Sequence, residues 1–142
     1  MGITGLYIDV KNINNTDINL INKNTNAYYV IDNINFVHHS IDSDTLSSTD
    51  NYFSEKMYIY TTINIYNTKV DREERLNLLD TFYYHKEIPK NTNFNNLWET
   101  LYIEIKNYLI NYYQNTFIEL LNINTLDDLP SDYKNIITFT NT

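Results

Sequence analysis

Apolar and polar positions alternate with a period of two through the first half of the chain and recur at helical spacing through the second. The cleanest alternation is residues 56–66, KMYIYTTINIY. Met57, Ile59, Ile63 and Ile65 point one way, and Tyr58, Tyr60 and Tyr66 the other. This predicts a strand with its aliphatic side on the core and a half-wet tyrosine side. Residues 27–41, AYYVIDNINFVHHSI, alternate too. Tyr29, Ile31, Asn33, Asn35, Val37, His39 and Ile41 fall on one side; Tyr28, Val30, Asp32, Ile34, Phe36 and His38 fall on the other. The run is long for one strand, which predicts a bulge or turn near Asp32–Asn33. Residues 5–13 form a further β-rich run. The Asn-rich residues 12–26 read as loop, with at most a short strand through Ile18 and Leu20, and residues 42–55, DSDTLSSTDNYFSE, also read as loop.

Helical spacing begins after residue 70. Asp71, Glu73 and Glu74 place acidic residues in a first turn, Asp71 and Arg75 are spaced i,i+4, and Leu76, Leu79, Phe82 and Tyr83 form a stripe. The spacing predicts a helix over 70–86, with His85 near its C-terminal end and Pro89 closing it. A longer helix is predicted over 95–122. Its stripe is Leu97, Trp98, Leu101, Ile105, Tyr108, Leu109 and Tyr112, continued by Phe117, Leu120 and Leu121, with Trp98 assigned to the core. Residues 133–140 read as a last strand. The sum is an α+β fold over a single domain, 1–142: a mostly antiparallel sheet from the N-terminal half, with the long C-terminal helix packed on one face. Leu97, Leu101, Ile105 and Leu109 should cover the face carrying Ile59, Ile63 and Ile65. A parallel α/β sheet is the competing topology.

Composition changes how these signals are weighed. The chain has 24 Asn, 19 Ile and 14 Tyr, but one Ala, two Gly, two Pro and two Arg. The frequent residues have AT-rich codons and the rare ones GC-rich codons, which points to an AT-biased genome such as that of a large DNA virus or a parasite. Asn is therefore a diluted turn signal here. The absence of Cys removes disulfides, thiolate metal sites and thiol nucleophiles. Ten basic against 18 acidic residues give a net charge of −8, which opposes binding along a phosphate backbone. No apolar run is long enough for a membrane span. MGITGLYIDVKN shows neither a basic leader nor a signal-peptide core, so a cytoplasmic location is expected.

Few residues suggest chemistry. His38, His39, Asp42 and Asp44 are metal-ligand types, but adjacent histidines on a strand face opposite ways. No G-x-S-x-G elbow accompanies the serines, and two glycines cannot build a phosphate-binding loop. The tyrosines offer an interaction surface, with Tyr28, Tyr58 and Tyr60 its expected members.

The opening Met1-Gly-Ile-Thr-Gly-Leu6 resembles the M-G-I-x-G-L start of the flap endonuclease and XPG family. About thirty residues on, Tyr29-Val-Ile-Asp32 resembles that family's strand ending in a metal-binding Asp. The resemblance covers residues 1–41 and implies a parallel sheet and phosphodiester cleavage with two divalent ions, magnesium or manganese. It makes Asp32 a metal ligand, and the carboxylates that flank the predicted strands, Asp9, Asp42, Asp44, Asp50 and Asp71, the donors that would have to join it. The family's second strand Asp, its later acidic motif and its basic helices have no counterpart: the best strand ends Thr61-Thr-Ile-Asn64. Two functions are thus expected. One is a small acidic noncatalytic accessory protein without a cofactor, binding a basic protein, including one in a ribonucleoprotein assembly, or a second copy of itself through the tyrosine face. The other is an XPG-like nuclease or an inactive relative.

Overall fold

The computed structural model describes residues 1–40, 55–89 and 92–142. In chain order the elements are β1 (Ile3–Tyr7), β2 (Asn24–Ser40), β3 (Glu55–Tyr66), α1 (Lys69–Glu73), β4 (Leu78–Ile88), α2 (Leu97–Leu121), α3 (Ser131–Ile136) and β5 (Phe139–Asn141). The described strands form one five-stranded sheet in the order β4-β3-β2-β1-β5. Every pairing among them is antiparallel, so the parallel order implied by the nuclease resemblance is not adopted. The fold is α+β, with the long helix on one face. The expected loop over 42–55 lies outside the described residues apart from its last residue, Glu55, where β3 starts.

α2 matches the long predicted helix to within two residues at its start. Asn122 ends it in the left-handed conformation, with φ 53°, and its N–H bonds back to Glu119. Leu101, Tyr102, Ile105, Leu109, Tyr113 and Phe117 are its buried residues. They share one core with Ile59, Ile63 and Ile65 of β3 and Ile3 and Leu6 of β1, and Leu97 packs against it. The expected facing of stripe and strand is therefore observed. Trp98 is not core: it shares the side of Leu101, Tyr102 and Ile105 by helical repeat, but in the first turn of α2 it is 49% exposed.

The predicted helix over 70–86 is the main correction. Thr68 does cap a helix, accepting a hydrogen bond from the Asp71 N–H, but that helix ends at Glu73. Arg75 and Asn77 then take positive φ, 58° and 52°, and turn the chain back. The chain continues as β4, paired with β3 from Met57↔Ile88 to Tyr66↔Leu78. Thr81-Phe82-Tyr83-Tyr84 is β-favouring sequence, and as a strand it satisfies the backbone along one side of β3.

Two smaller corrections concern the strands. β1 is shorter than the predicted run, because the Asp9 carboxylate caps a 3-10 turn at Val10–Asn12 by accepting from the Lys11 N–H. Residues 133–140 divide between α3 and a three-residue β5. The predicted bulge in β2 is present: the register slips between Ile31 and Asn33 against β3. Past it the alternation reverses. Ile34 and Phe36 pair with Thr61 and Ile59 and so join Tyr29 and Ile31 on the helix side, while Asn33, Asn35 and Val37 move to the opposite side.

The two glycines sit where rings press on the backbone. A Cβ on Gly5 would lie 2.3 Å from Phe139 Cδ1 and 2.7 Å from the Thr138 carbonyl, and one on Gly2 would lie 2.3 Å from Tyr28 Cζ. Both glycines of the nuclease-like opening thus have packing roles.

Candidate functional site

α2 covers one face of the sheet. Register assigns to the other face Asn33, Asn35 and Val37 of β2, Tyr58, Tyr60, Thr62 and Asn64 of β3, and Thr81, Tyr83, His85 and Glu87 of β4. Tyr83 is 73% exposed and Tyr60 39%. The His85 ring stacks on Tyr60 with centroids 5.7 Å apart, and Tyr58 lies 6.3 Å from Tyr60. Tyr58 and Tyr60, both expected in an interaction surface, are therefore neighbours on one face. Tyr28 shares that face but is buried at its other end, where Lys69 of α1 lies over its ring. It cannot contribute to an exposed surface.

The helix side carries a cleft of about 410 Å³ at the C-terminal end of β1. Tyr7, Tyr29, Phe82, Tyr108, Tyr112 and Tyr113 line it, with Asp9, Lys11 and Asp80 among them. Phe82, Tyr108 and Tyr112 form a continuous ring stack with centroid spacings of 6.1 and 6.2 Å. The buried Tyr29 hydroxyl donates to the Leu6 carbonyl. Tyr113 Oη accepts from the Ile8 N–H at 3.2 Å, and Tyr7 donates to Asp80 Oδ2 at 3.4 Å. Burial is the main reason the Tyr29 and Tyr113 phenols titrate above their usual range. Burial, followed by the charges of Asp80 and Asp9, lifts Tyr7 from 10.0 to about 12. These phenols remain protonated at neutral pH and serve here as hydrogen-bonding groups.

Of the carboxylates expected to hold metal, those among the described residues, Asp9, Asp32 and Asp71, do not converge. Asp9 binds its own turn, accepting from Asn12 Nδ2 at 2.6 Å. Asp32 is exposed at the bulge of β2. Asp9 follows the Tyr7↔Asn24 end of the β1–β2 ladder and Asp32 follows the Ile3↔Tyr29 end. That separation is roughly 25 Å of strand at about 3.3 Å per residue. Asp42, Asp44 and Asp50 lie outside the described residues. Among the described residues no three His, Asp or Glu side chains gather in a metal-binding group.

The sequence pattern does not place Tyr83 and His85 in the surface, because residues 70–86 read as helix. The β-favouring run Thr81–Tyr84 is the signal that points to them. The cleft draws on β1, β4 and α2, and no local pattern joins those segments. Comparison with known proteins found no matching family model, no matching curated protein and no matching solved structure. No helix among the described residues is long and apolar enough to cross a membrane.

Proposed function

We propose that this chain is a noncatalytic interaction protein whose sheet face opposite α2 docks a basic protein. The observation that carries the reading is the composition of that face. Tyrosine rings on a rigid sheet offer large contact area at small entropic cost, and Asn and Thr beside them offer adaptable hydrogen bonds, as in antibody paratopes. The exposed rings of Tyr60 and Tyr83 suit the stems and cationic heads of Arg and Lys. The net charge of −8 favours such a partner and disfavours nucleic acid. The reading needs no cofactor. It is set in the cytoplasm, where ribonucleoprotein assemblies present basic proteins.

The test is an NMR titration of isotope-labelled protein with an arginine- and lysine-rich peptide and a matched acidic peptide. The basic peptide should shift the amides of Tyr58, Tyr60, Thr62, Tyr83 and His85. Combining Tyr60→Ala with Tyr83→Ala should weaken binding about tenfold, equal to ~1.4 kcal/mol. Shifts confined to the α2 side, or an equal response to the acidic peptide, would overturn the reading.

A further inference from the structure

A strand at the end of a sheet turns alternate N–H and C=O groups toward whatever lies beside it. One outer strand here, β5, is three residues long. The other, β4, has eleven. Among the described residues its sole strand neighbour is β3, and Leu78, Leu79 and Tyr83 on it are exposed. Lys86 points to the helix side and pairs with Glu104 at 2.5 Å. An inward lysine on an edge is a device against indiscriminate pairing.

We infer that β4 pairs with β4 of a second copy of this chain, antiparallel and centred on Tyr83. The choice of register follows from charge and face. A two-fold axis perpendicular to the sheet sets residues of the same face opposite each other, so the axis passes through a residue. Centred on Tyr83, Asp80 faces Lys86 twice, Phe82 faces Tyr84 twice, and Thr81 faces His85 twice. Centred on Phe82, Lys86 would face Leu78 and Asp80 would face Tyr84. Centred on Tyr84, Lys86 would face Phe82 and Asp80 would face Ile88. Only the Tyr83 register joins the opposite charges and the aromatic pair together, and both kinds of cross-strand pair are stabilising.

The same symmetry keeps both α2 helices on one side and joins the two faces opposite them into one surface of twice the width. This inference does not depend on what that surface binds. A dimer that ignores basic peptides and a monomer that binds them are separate outcomes.

Two experiments test it. Analytical ultracentrifugation across a concentration series should show a species of twice the 17.0 kDa chain mass. D80K and K86D should each weaken dimerisation about tenfold by opposing like charges twice across the axis. The D80K/K86D double exchange should restore it. Because the chain has no Cys, a single Tyr83→Cys introduces an unambiguous thiol. Its Cα would lie about 4.5–5.5 Å from its symmetry mate, within disulfide reach. Mild oxidation should therefore give a covalent dimer for Y83C, but not for T81C or H85C alone. A wild-type chain that stays monomeric, single reversals that dimerise normally, or stronger cross-linking by T81C than by Y83C would overturn the inference. Y83C reports on register even if a charge variant folds poorly.

Discussion

Removing one oxygen from Tyr113 tests how the helix completes the sheet. β1 ends at Tyr7, and the next N–H, that of Ile8, is buried and donates to Tyr113 Oη at 3.2 Å. Tyr102, three helical turns earlier on the same side of α2, accepts the Ile31 N–H of β2 at 2.9 Å. Two phenols thus receive strand N–H groups beyond either end of β1. Tyr113→Phe keeps the ring and deletes the acceptor. A buried donor left unsatisfied costs about 1–3 kcal/mol. An unfolding entropy of about 2.1 cal/mol/K per residue makes ~0.3 kcal/mol/K for 142 residues. The expected fall in Tm is therefore about 3–10 °C. Calorimetry checks the size, and hydrogen exchange at the Ile8 amide checks the cause, since protection there should drop with the melting temperature. Tyr112→Phe is the control, on a half-exposed ring, and should stay within about 0.5 kcal/mol of wild type. A Y113F protein that melts with the wild type and keeps Ile8 protected would refute the reasoning.

Gly5→Ala should unfold the chain or detach β5, because its Cβ meets both the Phe139 ring and the Thr138 carbonyl; retained exchange protection at Phe139 would contradict this. Ile105→Ala, at a fully buried site on α2, should cost about 2–5 kcal/mol in urea denaturation. Alkali should also destabilise the protein. Tyr29, Tyr102 and Tyr113 titrate above 10.0 when folded, so above about pH 10 the unfolded chain releases protons that the native chain retains, and stability falls as pH rises. The urea midpoint should be level below about pH 9 and decline beyond pH 10; a midpoint unchanged near pH 11 would refute it. Asn122→Gly should raise the melting temperature slightly, because φ 53° suits glycine better than asparagine.

The fold class is legible because two segments carry strong, exclusive periods. Met57–Tyr66 alternates over its whole length, and Leu101, Ile105 and Leu109 repeat over many turns. Residues 76–88 carry a weaker pattern that both periods fit: Leu76, Leu79, Phe82 and Tyr83 make a passable helical stripe, while alternate positions of the same run fit a strand. Pairing with β3 decides between them, and that information lies in another segment. Arg75 and Asn77 at positive φ mark the break, but in a chain with 24 Asn an asparagine announces little. The surface is half legible for the same reason. Tyr58 and Tyr60 follow from local alternation, Tyr83 and His85 require knowing β4, and the burial of Tyr28 requires knowing where α1 folds.

The pairing of β5 with β1 bears on how the chain is made. Gly2 and Thr142 exchange backbone hydrogen bonds at 3.0 and 2.9 Å, and Thr4 meets Thr142 across a separation of 138 residues. During synthesis β1 emerges early, and its outer side has no strand to pair with until β5 leaves the ribosome. At about 5–20 residues per second, that wait lasts roughly 7–28 s. For that interval the nascent sheet offers an open edge beside Ile3 and Leu6, both apolar. Such contacts between distant segments also slow folding after release. A ribosome-stalled chain whose β5 is still held inside the ribosome should therefore recruit holdase chaperones, and a chain extended far enough for β5 to emerge should release them.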